Sequence, residues 1–250
     1  MVVLPYHQDR RLSGEHLALP PGGDYLVLDP HLPDGDLWSR LTALDDAAAD
    51  QIAVAVRAGA PTTVVSGDCL LALAALAGVQ RAGTDPALIW FDAHGDLHTL
   101  ETTTSGYLGG LALRLALGAH PELIGGLGLR PVAAERTVLA GARDLDPPEE
   151  SWLAANPVRR LAVADVDAGT VPPGPLLVHV DVDVIDPDEL PGLLFPAPGG
   201  PPATALLAAV ARLRATGRVV ALSLACPWHP THDGRVRDIR ARLLAALLAV

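Results

Sequence analysis

Residues 87–96 read Ala87-Leu88-Ile89-Trp90-Phe91-Asp92-Ala93-His94-Gly95-Asp96, a short apolar run followed by polar side chains on alternate residues. In an extended chain, residues i, i+2 and i+4 point to one side, so Asp92, His94 and Asp96 converge if the chain stays extended beyond the run. Their carboxylate oxygens and imidazole nitrogen are ligands for divalent metal ions. The stretch therefore predicts a strand that delivers a metal site at its carboxyl end.

A second stretch repeats the arrangement. Residues 176–187 read Leu176-Leu177-Val178-His179-Val180-Asp181-Val182-Asp183-Val184-Ile185-Asp186-Pro187. In an extended chain His179, Asp181 and Asp183 share one face and the valines take the other, as expected for a strand covered on both sides. Ionised carboxylates in the core of a sheet are costly without a compensating cation. The two strands together therefore predict one shared cation site.

The composition suits a single domain. The chain has 250 residues, 50% of them hydrophobic, which is enough for one substantial core or two small ones. We predict one domain spanning residues 1–250. The formal net charge of −11 argues against nonspecific binding to nucleic acid. All 18 residues in the Lys and Arg classes are arginines, so the chain has no lysine for Schiff-base chemistry.

Neither the cysteines nor the amino terminus indicates secretion. Two cysteines do not make a disulfide framework, and no charged segment followed by an apolar segment begins at Met1. The Ala/Leu-rich runs at residues 70–79 and 243–250 are too short to span a bilayer. We therefore expect a cytoplasmic protein with no membrane partner.

Short β-branched runs alternate with Ala/Leu-rich runs of helical spacing, which predicts an α/β fold with a parallel sheet and helices on both faces. The predicted strands are Tyr25 to Leu28, Thr62 to Val65, Leu88 to Asp92, Thr137 to Ala140, Leu161 to Val163, Leu176 to Asp183 and Val219 to Ser223. The predicted helices are Asp45 to Ala58, Cys69 to Gln80, Gly106 to Leu117, Glu149 to Ala155, Ala203 to Ala215 and Val236 to Leu248.

Ligands of open parallel sheets bind at the carboxyl ends of the strands. Polar segments follow four of the predicted strands, so we expect them to meet in one crevice, and we interpret the Pro/Gly-rich segment Pro191 to Pro202 as an active-site loop. The four segments are Gly67-Asp68-Cys69, Asp92 to Asp96, Asp144 to Asp146 and Asp181 to Asp186.

Four motifs in this order resemble the ureohydrolase family, the binuclear manganese amidinohydrolases that include arginase, agmatinase and formimidoylglutamase. They are Asp92-Ala93-His94-Gly95-Asp96, Thr102-Thr103-Thr104-Ser105-Gly106, Gly141-Ala142-Arg143-Asp144-Leu145-Asp146-Pro147, and Asp181-Val182-Asp183-Val184-Ile185-Asp186-Pro187 with Pro191-Gly192 after it. The resemblance implies a three-layer α/β/α fold with a mostly parallel central sheet. It also implies two divalent ions, Mn²⁺ foremost, and a metal-bridging hydroxide that attacks the guanidinium or amidine carbon of a small molecule.

The resemblance also assigns residues to the metal site. Five positions match the family's ligands: Asp92, His94, Asp96, Asp181 and Asp183. Asp96 and His94 are the implied catalytic residues, Asp96 accepting a hydrogen bond from the bridging hydroxide. At the sixth ligand position the family has a His after a Gly-Asp pair, and this chain has Cys69.

A Cys69 thiolate can bind a divalent ion, and sulfur makes zinc, iron or cobalt more competitive with manganese. We predict that Cys69 is a ligand. The alternative is that Cys69 is a buried small hydrophobe at a helix start and that only one metal binds well.

Two further departures concern the substrate. Many family members have a proton-shuttling His where this chain has Gly109, and a Glu on the last strand that pairs with the guanidinium, where this chain has Leu224 or Pro227 depending on the alignment. Losing a buried carboxylate opposite a cation weakens recognition of that cation. A less basic substrate is therefore favoured, and we hypothesise an N-hydroxyguanidine such as N-hydroxyarginine.

By the same resemblance, the loop after the first metal strand binds the amino-acid end of an arginine-like substrate. Thr103 and Ser105 can donate hydrogen bonds to its α-carboxylate, and Asp146 faces its α-amino group. His98 and Tyr107 replace family asparagines and can also donate hydrogen bonds. The alternative roles are a helix-capping loop for residues 102–104 and a strand-end turn before Pro147 for the acidic pair.

Other classes stay open. The chain could be a noncatalytic metal-binding relative that serves as a partner or regulatory subunit, or a mononuclear hydrolase resembling histone deacetylases. His179 could supplement the metal site or shuttle protons, although a hydrogen-bonded core histidine is the commoner role. Ureohydrolases are commonly trimers or hexamers, so we expect a homo-oligomer.

Overall fold

A computed structural model of the chain describes residues 1–13 and 16–249. Residues 14, 15 and 250, which the predicted domain 1–250 includes, lie outside the described residues. The strands are β1 (Val2–Leu4), β2 (Tyr6–His7), β3 (Arg10–Arg11), β4 (Leu26–Val27), β5 (Thr62–Ser66), β6 (Ala87–Phe91), β7 (Thr137–Ala140), β8 (Arg159–Leu161), β9 (Leu176–Asp181) and β10 (Val219–Ala225). The α-helices are α1 (Leu37–Arg57), α2 (Ala72–Arg81), α3 (Ala112–Ala116), α4 (Pro121–Ile124), α5 (Pro147–Ala155), α6 (Ala203–Arg214) and α7 (Gly234–Ala249).

Eight of these strands form one parallel sheet in the order β4-β1-β5-β10-β9-β6-β7-β8, and β2 and β3 form a separate antiparallel pair. Helices α1, α2 and α3 pack their apolar residues on one face of the sheet, while α6 and α7 cover the other. The predicted α/β class with a parallel sheet and helices on both faces is confirmed.

The central strands are buried and mostly apolar because both of their faces are covered. In β6, Leu88 and Trp90 point into the core beneath α1 to α3, and Ile89 and Phe91 point into the core beneath α6 and α7. Every residue of β6 and β9 is buried. This alternation of side chains between the two faces determines which of them lie on each face at the carboxyl ends of the strands.

Several predicted boundaries differ from the structure. Helix α1 begins at Leu37 rather than Asp45, because Asp36 caps it by accepting a hydrogen bond from the Ser39 amide at 2.7 Å. The predicted helix from Cys69 begins as a 3-10 turn at Cys69–Leu71 and becomes α-helical at Ala72. The short strand β1 was not predicted, since a run of three apolar residues is too short to show a hydrophobic periodicity.

The sheet order brings the predicted polar segments together. Strands β5, β10, β9 and β6 are consecutive neighbours in the sheet, so the carboxyl ends of β5, β6 and β9 open onto one crevice. Within the described part of the chain, no helix is both long enough and apolar enough to cross a membrane.

Candidate metal centre

The turn after β6 is not extended, contrary to the sequence prediction. The strand ends at Phe91, and the Asp92 carboxylate then accepts a hydrogen bond from the His94 amide at 2.7 Å. Asp96 has a φ of 51°, in the left-handed region that aspartate tolerates better than most residues. A tight turn, rather than strand alternation, therefore points the three side chains into the crevice.

The turn after β9 has the same construction. The strand ends at Asp181, and residues Val182–Val184 form a 3-10 turn in which the Asp181 carboxylate accepts a hydrogen bond from the Asp183 amide at 2.8 Å. The predicted strand to Asp183 is therefore two residues too long. The Ala93 amide donates to Asp183 Oδ1 at 3.3 Å and so joins the two turns.

Cys69 enters the centre from the turn after β5. The Asp68 side chain caps this turn by accepting a hydrogen bond from the Leu70 amide at 2.7 Å, which fixes the start of the helix. The Cys69 thiol then lies among carboxylates: it donates to Asp181 Oδ2 at 2.7 Å and is 3.8 Å from Asp92 Oδ2. Cys69 is buried at the margin of the hydrophobic core, and its sulfur contacts two carboxylates.

His94 closes the other side of the cluster. Its Nδ1 is 3.1 Å from Asp183 Oδ2 and 3.3 Å from Asp92 Oδ1. Two groups of potential ligand atoms each lie within 4.8 Å of one another: Asp92 with His94 and Asp183, and Asp92 with Cys69 and His179. Asp92 belongs to both groups, so one carboxylate lies between two candidate metal positions.

The centre holds more negative charge than its protein neighbours can balance. Burial and the Asp92 and Asp181 charges raise the pKa of Asp96 well above its usual range, and burial with the Asp183 charge does the same for the pKa of Asp181. Burial likewise raises the pKa of Asp183 to about 6. Among the described residues, Asp96 Oδ2 is buried without a hydrogen-bond partner.

His94 supplies the positive charge that is present. Although burial alone would lower it, hydrogen bonds to Asp183 and Asp92 raise the pKa of His94 to about 12. The pKa of Asp92 falls, because the same contacts outweigh the opposing effect of burial. One imidazolium cannot offset four buried carboxylates, whereas divalent cations can. The carboxylate, imidazole and thiol donors and the unpaired Asp96 oxygen therefore fit metal ions.

A cavity of about 210 Å³ opens onto this cluster. All the predicted site residues line it except Thr103. The lining residues are Cys69, Asp92, His94, Asp96, His98, Ser105, Tyr107, Gly109, Gly110, Asp144, Asp146, Glu149, Asp181, Asp183 and Phe195. Thr103 instead caps its own loop, where its hydroxyl accepts a hydrogen bond from the Gly106 amide at 3.1 Å.

The predicted amino-acid end of the site is organised around His98. Its Nε2 is 3.0 Å from Asp146 Oδ2, and its Nδ1 is 3.1 Å from the Thr102 hydroxyl. Glu149, which sequence reasoning missed, is buried and accepts hydrogen bonds from the Leu97 amide at 2.9 Å and from the Asp146 amide at 3.0 Å. Glu149 therefore connects the metal-binding turn to the amino terminus of α5.

Tyr107 occupies the space where a side chain at position 109 would lie. A Cβ built on Gly109 would be 2.5 Å from Cζ and from the hydroxyl oxygen of Tyr107. Burial and the nearby acidic groups raise the pKa of Tyr107 well above its usual range, so the phenol keeps its proton and can donate a hydrogen bond. Gly109 and Tyr107 are therefore one structural unit.

The wall beside this unit comes from the Pro/Gly-rich loop that was predicted to line an active site. Its Phe195 ring lies 4.7 Å from the Tyr107 ring and 6.3 Å, edge to face, from the His94 ring. Sequence reasoning identified the loop but not Phe195. An aromatic residue within a Pro/Gly-rich loop at the carboxyl edge of a sheet was the available signal. Cys226 and Trp228, at the end of β10, are buried outside this lining.

A family model described as the arginase family matches residues 31–249. The chain belongs to the arginase family. The ureohydrolase membership predicted from the motifs is thereby confirmed. Among solved structures, arginase from Bacillus subtilis superposes on this arginase-family chain with a TM-score of 0.78, covering 100% of this chain and 97% of that one at 24% identity. This likeness supports the predicted three-layer fold.

Curated relatives are similar over part of their length. N(omega)-hydroxy-L-arginine amidinohydrolase from Streptomyces lavendulae is 34% identical over 174 residues, which is 65% of this chain and 60% of the relative. Arginase from Bacillus subtilis (strain 168) is 33% identical over 151 residues, which is 55% of this chain and 51% of the relative. The matched region of this arginase-family chain thus spans about half to three-fifths of the length of these two relatives.

Proposed function

We propose that the chain is a metal-dependent hydrolase that cleaves a guanidino or amidino C–N bond of an arginine-like small molecule. The observation that carries the proposal is the unbalanced cluster at the floor of the cavity, where the buried Asp96 Oδ2 has no protein partner among the described residues. Such a cluster lowers stability unless cations occupy it. Family membership supports the reaction class.

The proposed metal ligands are those of the sequence prediction: Cys69, Asp92, His94, Asp96, Asp181 and Asp183. Two divalent ions, manganese in at least one position, would supply Lewis-acid activation of water and stabilisation of negative charge at the guanidino carbon. The protein's part is to hold the donors in place, which it does through the backbone amides of His94 and Asp183 bonded to carboxylates.

The other cavity residues have separate proposed roles in orienting water and binding the substrate. Asp96, with a free carboxylate oxygen, would accept a hydrogen bond from the attacking water and orient it. Asp146 would face the α-amino end of the substrate, and His98 and Ser105 its α-carboxylate. The Tyr107 phenol would donate a hydrogen bond to the guanidino end, beside the aromatic wall formed by Phe195.

We further propose N-hydroxyarginine as the preferred substrate. An N-hydroxyguanidine is less basic than a guanidine, and the residues that line the cavity include no carboxylate from β10 or the loop that follows it. Similarity to the Streptomyces lavendulae N(omega)-hydroxy-L-arginine amidinohydrolase is consistent with this choice, and the nearly equal similarity to arginases makes arginine the second candidate.

A substrate panel with metal content measured on the same sample tests the proposal. Manganese-loaded protein would be assayed for urea or hydroxyurea release from arginine, N-hydroxyarginine, agmatine and formiminoglutamate. We expect hydroxyurea release to be fastest and to fall by about 10²–10⁴-fold in Asp96→Asn, while Glu150→Gln, on the exposed face of α5, retains it. Inactivity on all four substrates would refute the proposal, and absence of bound metal would favour the noncatalytic alternative.

The assembly of the chain also stays a prediction. Light scattering on the metal-loaded protein would measure the molar mass of the assembly, and we expect that of a trimer or hexamer. A monomer would contradict it.

A further inference from the structure

A buried imidazole lies beneath the metal centre. His179 is on β9, its side chain is inaccessible to solvent, and its Nδ1 is 3.2 Å from the Ser223 hydroxyl. Its Nε2 is buried and has no hydrogen-bond partner among the described residues. A buried polar atom without a hydrogen-bond partner is destabilising, so this nitrogen needs an explanation.

The sheet register fixes where the ring lies. Trp90 of β6 and Ser223 of β10 pair with His179 on either side, so the three side chains form one row across the sheet. The Trp90 ring stacks on the imidazole, with a centroid distance of 3.8 Å. Asp181 is the last residue of β9, two residues after His179 on the same face, and Asp92 directly follows β6 and accepts a hydrogen bond from the Trp90 indole. The imidazole is therefore held in the layer directly below the two carboxylates.

The free nitrogen has suitable neighbours for a shared ion. The Cys69 sulfur, an Asp92 carboxylate oxygen and a His179 ring nitrogen all lie within 4.8 Å of one another. Asp181 Oδ2, at 2.7 Å from the sulfur, adjoins the group. Zinc bonds are about 2.3 Å long to sulfur and about 2.0–2.1 Å long to nitrogen. Donor atoms that lie within 4.8 Å of one another would therefore move toward a shared zinc ion by less than one bond length.

We infer that His179 Nε2 is a metal ligand, and that with Cys69 and Asp92 it forms a buried sulfur, nitrogen and oxygen site that prefers zinc or cobalt(II) to manganese. Thiolate and imidazole together favour these softer ions, whereas manganese prefers oxygen donors. Neither the motif resemblance nor the family match assigns a ligand at position 179. The inference rests on the proposed metal centre but does not require hydrolysis.

Neighbouring groups already hold this donor set in place. The Ser223 hydroxyl engages Nδ1 and leaves Nε2 without a partner among the described residues, and the Trp90 indole donates to Asp92 Oδ2 at 3.1 Å. Groups that form hydrogen bonds with the ligand side chains in this way orient the ligands of protein metal sites.

The second position differs in its donors. His94, Asp92 and Asp183 supply only nitrogen and oxygen, and the His94 side chain is 26% exposed in the cavity. This set suits manganese better than the buried one does. The two positions share Asp92 but should select different metals, so we expect a mixed pair with zinc or cobalt in the buried position and manganese in the outer one.

Cobalt(II) and zinc binding to the full chain test the inference. Metal-free protein would be titrated with cobalt(II), and the thiolate-to-cobalt charge-transfer band and the ligand-field bands recorded. Zinc affinity would be measured against a competing chelator. His179→Phe retains a flat ring against Trp90 but removes both nitrogens, Cys69→Ser removes the sulfur, and His31→Phe makes the same ring change at an exposed site.

We expect His179→Phe to weaken zinc binding by more than about 10-fold and to change the cobalt ligand-field bands, while His31→Phe leaves both unchanged. Cys69→Ser should abolish the charge-transfer band. Identical spectra and zinc affinities for the unaltered chain and His179→Phe would overturn the inference.

If His179→Phe fails to fold, a zinc-soaked crystal of the unaltered chain decides the matter through anomalous scattering at the zinc edge. Zinc bonded to His179 Nε2, at about 2.0–2.1 Å, supports the inference, and zinc that binds Cys69 without this nitrogen refutes it. Neither measurement uses turnover. A failed substrate panel therefore leaves this test intact. A metal site in which His179 Nε2 is not a ligand would leave the hydrolysis proposal intact.

Discussion

Gly109→Ala probes the unit formed by Gly109 and Tyr107. An alanine Cβ at position 109 would lie 2.5 Å from Tyr107 Cζ and its hydroxyl oxygen, whereas carbon atoms pack at about 3.5–4.0 Å. The ring must therefore move by about 1 Å to reach ordinary contact. His7, at a ring distance of 5.6 Å, and Phe195, at 4.7 Å, flank the ring and limit where it can go.

The size of the effect follows from this displacement. Overpacking of this kind lowers the free energy of unfolding by about 1–3 kcal/mol. Misplacing a substrate-positioning group by about 1 Å lowers the rate by about 10²-fold. We therefore expect Gly109→Ala to reduce kcat/KM for hydroxyurea release by about 10²-fold. Metal content should be unchanged, since Gly109 supplies no ligand.

Gly110→Ala is the matched control. Both glycines belong to the 3-10 turn at Leu108–Leu111, but a Cβ at position 110 would meet only His98 Cδ2, at an ordinary 3.8 Å. The assay compares kcat/KM and thermal unfolding of the two variants. A third variant, Gly109→Ala in a Tyr107→Ala background, should show no further loss of stability because the collision is gone. Equal kcat/KM and equal melting temperatures for Gly109→Ala and Gly110→Ala would refute the reasoning.

Three further predictions concern the centre and its wall. Asp96→Asn should lower kcat by about 10²–10⁴-fold, yet raise the thermal stability of the metal-free chain, because it removes a buried carboxylate without a partner; a less stable metal-free variant would contradict this. Phe195→Ala should raise KM by about 2- to 10-fold, the equivalent of roughly 0.5–1.5 kcal/mol from an aromatic contact, with kcat nearly unchanged; an unaltered KM would count against an aromatic wall. In the metal-free chain, burial raises the pKa of Asp183 to about 6 and that of Asp181 well above its usual range, so the folded state binds more protons than the unfolded one. Its free energy of unfolding should therefore fall as the pH rises from about 4 through 6, whereas the manganese-loaded chain should gain stability over the same range; urea denaturation at each pH measures both slopes.

The sequence grouped side chains that the structure brings together, although it assumed a different local geometry. Strand alternation selected Asp92, His94 and Asp96, but the chain turns after Phe91 and the three side chains converge through a hydrogen-bonded turn. The prediction still placed them together because short-range spacing constrains both conformations. Asp181 and Asp183 were placed together in the same way.

What the sequence could not show depends on pairing between distant segments. The row of Trp90, His179 and Ser223 exists only because three strands pair in one register, and a single strand does not reveal its partners' register. The contact between Tyr107 and Gly109 depends on how a loop folds back on itself. Thr103 was predicted to bind substrate but caps its loop, a role that the sequence reasoning had kept as an alternative.

The central claim is that the buried cluster binds two metal ions and that these ions are needed for C–N hydrolysis. The most direct test measures metal content and hydroxyurea release from N-hydroxyarginine on one sample, before chelation, after chelation and after stepwise return of metal. The account predicts two ions per chain at saturation, with turnover lost on chelation and restored as the ions return. Hydroxyurea release that persists in metal-free protein, or a saturated protein that binds no metal at the cluster, would contradict it.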